Sequence, residues 1–331
     1  MKTEIISSDG FEQGATAVSK AVSWLRRGET VALPTETVYG LAADAINPIA
    51  VAKIFVAKER PRFDPLIVHL PDRDWLEKVA ALGARERELI LKLADRFWPG
   101  PFTIVLPRKS IVPEIVTAGL DTVAVRISAH PVFAQILAEF GSPLAAPSAN
   151  RFGHISPTTA HHVFDELNGR VPLIVDGGPT QYGIESTIVA VHGRRIDILR
   201  RGPITEDQLA KFGAKIDIVP SAGKISAPGQ FPTHYAPKTP LELIGCAKSF
   251  SPGTNQRIGL LAWYPVAAET DFAVVHRLSE SGDLREAATN LFRYLRELDR
   301  SDVDLIVAEQ VPEEGLGAAI NDRLRRAAGR G

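Results

Sequence analysis

The stretch Lys58-Glu59-Arg60-Pro61-Arg62-Phe63-Asp64-Pro65-Leu66-Ile67-Val68-His69 constrains the chain more than any other. It ends a helix and begins a strand with almost no connection between them. Upstream, Asn47-Pro48 reads as an N-cap followed by proline at the first helical position. Ala50, Val51, Ile54 and Phe55 then repeat at helical spacing, which puts Lys58 in the last turn. Pro61 biases Arg60 away from the helical region, and an apolar run closed by His69 follows. In an extended chain alternate side chains share a face, so Arg60 and Arg62 are expected to point the same way. Such a cluster suits a polyphosphate, since Arg offers planar multi-donor contacts and Lys a point charge. Lys and Arg also favour a helix C-terminus for its dipole alone. The stretch by itself leaves both readings open.

The same alternation of helix and strand runs through the chain. Helices are expected over residues 15–27, 48–58, 131–140 and from Ser156-Pro157 to about 167, with 74–97 helical in two pieces broken near Gly83. Strands are expected at 30–33, 66–70, 102–106, 122–126, 143–146 and 173–175, and a hairpin at 186–191 and 195–199 around His192-Gly193. One face of the 122–126 strand would carry Thr122, Ala124 and Arg126. Thr205 caps a short helix. From about 219 to 238 the apolar period is lost among Gly and Pro, which marks a linker. Beyond it, strands at 241–244, 257–263 and 304–307 and helices at 283–298 and 316–327 make a second α/β unit of domain size.

Composition removes several classes of function. Lys+Arg number 38 against 39 Asp+Glu, so no global field attracts nucleic acid or membrane. The single cysteine, Cys246, excludes an intramolecular disulfide framework and fits a reducing compartment. No signal-peptide apolar region follows Met1, and the longest apolar run, 258–268, is too short to span a bilayer. A cytoplasmic protein is the expectation. There is no P-loop, no strand-linked G-x-G-x-x-G, no H-E-x-x-H and no G-x-S-x-G.

The polar candidates gather at strand ends and in the loops after them, where open α/β sheets bind ligands. They are Thr35 to Thr37, Lys58 to Arg62, His69, Thr122 with Arg126, Ser148 with Asn150, Ser156, Ser186 and Arg200. Each also has a plainer reading. Ser148 and Asn150 are ordinary turn residues. His69 fits a buried histidine, Arg126 a surface ion pair, and Ser156 an N-cap. His161-His162 lacks a matching ligand set. Cys246 reads as core, and Arg323, Arg325, Arg326 and Arg330 as a helix C-terminus.

Taken together and in order, six segments are distinctive. They are Pro34-Thr35-Glu36-Thr37-Val38-Tyr39-Gly40-Leu41, Lys58-x-Arg60-Pro61, Pro65-Leu66-x-x-His69, Phe97-Trp98-Pro99-Gly100-Pro101, Pro147-Ser148-Ala149-Asn150 and Glu185-Ser186-Thr187-Ile188-Val189. This set resembles the YrdC-type threonylcarbamoyl-AMP synthase family over residues 12–203. The segment from Ala227-Pro228-Gly229 to His234-Tyr235-Ala236-Pro237 and the domain beyond resemble the family's long, two-domain form.

The resemblance implies an α/β protein: a YrdC-like twisted open mixed sheet with helices over 12–203, a short helix, strand and linker or lid over 204–238, and a smaller Rossmann-like α/β domain over 239–331. It implies a nucleotidyltransferase that condenses L-threonine, bicarbonate or CO2 and ATP into threonylcarbamoyl-AMP and pyrophosphate, with Mg2+ accompanying ATP and no structural metal. A downstream tRNA threonylcarbamoyl-transferase complex would use the product at position 37 of tRNA; no membrane and no strong direct nucleic-acid binding are implied. By resemblance, Lys58, Arg60, Ser148 and Asn150 stand at the reacting centre. Lys58, Arg62, Thr122, Ser148, Ser156, Arg200 and Tyr235 hold ATP, and Thr37, His69, Arg126 and Ser186 hold threonine. Tyr235 and the linker are expected to act as a lid. Asp64 departs from the family's usual Asn, which leaves the Mg2+ ligands open. Carbamoyl-adenylate chemistry on another acceptor is a second reading. An RNA-binding module is a third, which the near-zero net charge disfavours.

Overall fold

The computed structural model describes residues 1–219, 227, 234–250, 256–265 and 272–329. Contacts divide the chain into two compact units. The first holds residues 1–152, 157–180 and the described part of 185–230. The second holds 153–156, 181–184 and the described part of 231–331.

The first unit runs β1 (Glu4–Ser7), α1 (Phe11–Arg26), β2 (Val31–Leu33), β3 (Gly40–Asp44), α2 (Pro48–Lys58), β4 (Ile67–His69), α3 (Leu76–Val79), α4 (Arg87–Phe97), β5 (Phe102–Pro107) and α5 (Glu114–Thr117). It continues through β6 (Thr122–Arg126), α6 (Pro131–Phe140), β7 (Leu144–Ala145), α7 (Ala160–Leu167), β8 (Leu173–Asp176), β9 (Thr187–His192), β10 (Arg195–Arg200), α8 (Glu206–Ala210) and β11 (Lys215–Ile218). Among the described residues these strands form one mixed sheet in the order β1-β8-β2-β3-β7-β4-β6-β5-β9-β10-β11.

Local signals set many of these elements. Asn47 accepts from the backbone N–H of Ile49 at 3.0 Å and Ala50 at 3.2 Å, which starts α2 as its Asn-Pro pair predicts. Thr205 and Gln208 form a capping box on α8. Strand β3 carries no strand signal, because Gly-Leu-Ala-Ala-Asp is poor in β-formers; it is a strand because β2 and β7 pair with its two edges. The helix expected from Ser156 instead starts at Ala160, capped by Thr159, whose hydroxyl accepts from His162 N–H at 3.2 Å. Ser156 lies too far upstream to cap it, and belongs to the second unit.

The sheet's two faces are covered unequally. On one face Leu41, Val68, Ile104, Val123, Val125 and Val189 pack with residues of α2, α4 and α7. On the other, α1 and α6 bury Val31, Leu33, Ala42, Leu144 and Val175. That cover thins past β7, where the Phe133 ring of α6 still lies 4.8 Å from that of His69. Beyond it the same face carries Ile67, Val105, Ala124, Ile188, Ala190 and Leu199, and among the described residues no helix joins this cluster. Ala227 of the linker, fully buried, does join it. Within the expected lid, residues 220–226 and 228–233 lie outside the described residues.

The second unit contains β12 (Leu241–Ile244), β13 (Ile258–Ala262), β14 (Val274–Arg277), α9 (Leu284–Asp299), β15 (Leu305–Glu309) and α10 (Leu316–Ala328). Its strands are all parallel, in the order β12-β15-β13-β14. Two sequence expectations fail here. Cys246 is exposed, because it follows the end of β12 rather than filling a core position. Arg323 is fully buried instead of standing free at a helix end: it lies on the inner side of α10, with its guanidinium 5.7 Å from the ring centre of Tyr235. Arg330 lies outside the described residues.

Buried Glu309 ties the ends of two strands together. Its carboxylate accepts from Ala247 N–H at 2.5 Å and from Trp263 N–H at 2.8 Å. Glu309→Gln keeps one acceptor and loses the charge, so urea denaturation should show the second unit destabilised by about 1–3 kcal/mol.

Candidate functional site

The helix-free half of the sheet face is where most of the candidate side chains meet. Alternation along three strands brings polar groups onto it: His69 beyond Ile67 on β4, Thr122 and Arg126 flanking Ala124 on β6, and Thr103 before Val105 on β5. His69 and Arg126 are direct partners in the parallel β4–β6 ladder. Arg126 is buried, so the surface ion-pair reading of it fails.

Arg126 is held from the loop between β2 and β3. One of its Nη atoms donates to the Glu36 carboxylate and the other to Thr37 Oγ1 at 3.3 Å. Ser128 donates to the other Glu36 oxygen at 2.5 Å. The loop itself is fastened by Thr35, whose hydroxyl donates to Val38 O at 2.6 Å and accepts from Thr37 N–H at 3.1 Å. Arg126 Nε is buried without a partner, and so is His69 Nδ1. Burial pushes His69 well below its ordinary 6.5, and the Arg126 charge beside it adds to this. A neutral imidazole and a cation with a spare donor thus face one place, a pairing suited to a carboxylate with a neighbouring hydroxyl.

Ser186 sits just before β9 and is held three ways. It shares a hydroxyl–hydroxyl contact of 2.8 Å with Thr103. Arg200 donates to its carbonyl and its hydroxyl, both at 3.0 Å. Gly202 permits this approach: a Cβ there would lie 2.5 Å from Thr187 N and 2.6 Å from Glu185 O.

Lys58 ends α2 with its side chain 1% exposed. Its ammonium donates to the carbonyl of Ser148 at 2.6 Å and to that of Asn150. The Lys58 carbonyl accepts from Phe152 N–H at 2.8 Å. The Ser-x-Asn loop is therefore clamped to the helix end by both the side chain and the backbone of one residue. On its other side the loop is tied to the 39–41 segment, through Leu41 N–H to Pro147 O and Ala149 N–H to Tyr39 O, both at 2.8 Å. Burial pushes the Lys58 ammonium well below its ordinary 10.5, with Arg60 adding repulsion and Asp64 and Glu166 opposing.

Arg60 and Arg62 do not share a face. The segment after Arg60 is a turn, with Asp64 N–H donating to Pro61 O at 3.3 Å, so Arg60 is buried and Arg62 exposed. Arg60 folds back on its own turn. Nε donates to Asp64 O at 3.3 Å, Nη2 donates to Pro65 O at 2.8 Å, and Nη2 lies 2.7 Å from the Asp64 carboxylate. Asp64 thus pairs with Arg60, and not with Arg62.

The site residues expected from sequence fall into three groups. Lys58 joins Ser148 and Asn150; Thr37 joins Arg126, beside His69; Ser186 joins Arg200. Thr122 is half-buried at the start of β6. Ser156 and Tyr235 belong to the second unit. There Tyr235 has φ +65°, stacks on Phe292 at 5.2 Å and meets His234 edge-on at 4.1 Å. Sequence reasoning named the 35–37 stretch but gave Glu36 no role of its own, and it missed Ser128 and Thr103. Glu36 stood inside the first distinctive segment, and a carboxylate flanked by two threonines was a usable signal. Thr103, on a strand read as apolar, gave none. Among the described residues no cluster of three or more His, Cys, Asp or Glu side chains could hold a metal ion.

Two outcomes follow from this geometry. Lys58→Ala leaves the carbonyls of Ser148 and Asn150 without their donor; melting should report a loss of about 1–3 kcal/mol, and ATP-dependent pyrophosphate release should fall roughly 10²–10³-fold. His69 binds fewer protons folded than unfolded, so stability falls as the pH drops below 6.5. The decline in melting temperature between pH 7 and pH 5 should be shallower in His69→Asn; His130 and His276, lowered in the same direction, retain part of the slope.

Residues 23–202 match the family model described as "Telomere recombination", which groups Sua5, YciO and YrdC proteins. Residues 204–329 match the model described as "Threonylcarbamoyl-AMP synthase, C-terminal domain". The threonylcarbamoyl-AMP synthase of Pyrococcus abyssi is 40% identical over 93% of both chains. That of Bacillus subtilis is 40% identical over 97% of this chain and 96% of its own. The crystal structure of P. abyssi Sua5 complexed with L-threonine superposes with a TM-score of 0.88, at 36% identity, over 99% of this chain and 98% of that one. With both models matched in order and relatives similar along nearly the whole length, the chain belongs to the threonylcarbamoyl-AMP synthase family in its two-domain form.

Proposed function

We propose that the chain is an L-threonylcarbamoyladenylate synthase acting through the first unit, residues 12–203, with 204–238 as connecting lid and 239–331 as accessory domain. The observation that carries this reading is the set of buried cations around the candidate loops: Arg126 with a spare donor beside His69 and Thr37, Arg200 on Ser186, and Lys58 and Arg60 at the end of α2 against the Ser148–Asn150 loop and Asp64. The full-length relatives named for this activity, and a P. abyssi neighbour crystallised with L-threonine, support it.

In this reading threonine's carboxylate meets Arg126, whose orientation Glu36 fixes. Ser186, steadied by Thr103 and Arg200, and Thr37 supply hydroxyls for the substrate's side chain and amine. The neutral amine attacks the carbon of CO2, losing its proton to solvent, or that of bicarbonate, expelling water, and becomes a carbamate. A carbamate oxygen then attacks the α-phosphorus of ATP; the bond from that phosphorus to the bridging oxygen breaks, and pyrophosphate leaves. Charge grows on the phosphoryl oxygens and the leaving group, so fixed cations lower the barrier. Lys58 contributes chiefly by holding the Ser148–Asn150 loop in place. Asn150, Ser148 and Arg200 serve the phosphates, with Arg62 and Thr122 at the rim. Mg2+ enters as part of the nucleotide substrate, carried by its phosphates. The adenylate passes to a tRNA threonylcarbamoyl-transferase complex in the cytoplasm.

The deciding experiment is pyrophosphate release from ATP with bicarbonate, with and without L-threonine, and with L-serine as control. Release should depend on threonine. Release without any amino acid would overturn the assignment of threonine as acceptor. No release from folded protein supplied with Mg2+ would overturn the synthase reading altogether.

A further inference from the structure

Asp64 is the most deeply buried charge among the cations of the first unit. Its side chain is 0% exposed. Arg60 Nη2 lies 2.7 Å from Oδ2, close but poorly directed, and neither oxygen accepts a well-formed hydrogen bond. Lys58 and Arg200 also act on it through their charge, against the burial that disfavours ionisation. A carboxylate is thus in contact with Arg60 and within range of the charges of Lys58 and Arg200, all three nine-tenths or more buried themselves. Three buried cations without an anion are costly, and so is a buried carboxylate without cations. In the free protein each compensates the other.

We propose that Asp64 is an internal counter-ion that occupies the electrostatic place of the substrate's phosphates and limits the affinity of the site for both ATP and pyrophosphate. This rests on the synthase reading, since it takes the Lys58–Arg60–Arg200 cluster as the phosphate site. Arg60 gives the device its moving part. Its Nε and Nη2 are spent on the Asp64 and Pro65 carbonyls and on the Asp64 carboxylate. A polyphosphate must draw the guanidinium away from that carboxylate, and then has a negative charge as its neighbour. The same repulsion acts on the departing pyrophosphate, so it favours release of a product that three buried cations would otherwise retain. Asp64 is a positioning residue here: it acts on the phosphates through Arg60 and through its charge.

The test is Asp64→Asn, which keeps the shape and one acceptor for Arg60 but removes the charge. ATP and pyrophosphate affinities are measured by calorimetry, and pyrophosphate as an inhibitor of steady-state synthesis. Both ligands should bind about ten-fold more tightly, an effect well within one charge acting at short range in a partly buried site. The unliganded melting temperature should fall, and the rise produced by ATP should exceed that in the parent protein. If the variant is unfolded without ligand, its recovery of cooperative melting at ATP concentrations below the parent's Kd supports the proposal, and failure to recover overturns it. Unchanged or weaker binding of ATP and pyrophosphate also overturns it. So does weakened binding of Mg2+-ATP with Mg2+-free ATP unaffected, which would make Asp64 a metal ligand. If the unaltered protein binds neither ATP nor pyrophosphate, the synthase reading itself falls.

Discussion

The contact on which the site depends is the buried ammonium of Lys58 lying against the carbonyls of Ser148 and Asn150. A lysine taken out of water is costly, and here the cost is offset by two acceptors that would otherwise be buried unpaired. The consequence is positional. The end of α2 and the loop after β7, far apart in sequence, become one rigid piece, and the 39–41 segment is laced to the same loop through backbone bonds. The Ser-x-Asn loop owes its geometry to this clamp. Its own residues favour a turn without specifying which one.

Around that clamp the fold separates two tasks by covering the sheet unevenly. Helices α1 and α6 seal one half of the face with apolar contacts. The other half keeps its apolar floor, Ile67, Val105, Ala124 and Ile188, but is rimmed by His69, Arg126, Thr103, Ser186 and Arg200. A low-dielectric floor strengthens every charge interaction at its edge, which is why each charge there is either paired or carries a directed partner. Glu36 with Arg126 is one such pair, and Asp64 with Arg60, in the turn after α2, is another.

Much of this was legible before the structure. The cap at Asn47-Pro48, the end of α2 at Lys58, the β6 strand and the α6 helix follow from local rules, since capping and periodicity act over a few residues. Strand β3 was hidden because its small residues carry no propensity and only its neighbours make it a strand. Ser156 was misread as a cap because Thr159 is an equally good one nearer the helix. Arg62 was placed beside Arg60 on the assumption of an extended chain, whereas the Arg60–Asp64 contact closes a turn. Glu36 was left without a role and Thr103 was missed because a buried polar residue acquires its role from partners distant in sequence.

The sequence by itself determined the two α/β units, the order of the six distinctive segments and the type of chemistry they serve, because these rest on local pattern and on residue identity. Only the tertiary structure decided which side chains share a site, which cations are already paired, and that Lys58 serves as a clamp. Those facts depend on burial and on contacts between distant residues. The strength of a charge or a hydrogen bond is fixed by what surrounds it, and that is known only when the chain has folded.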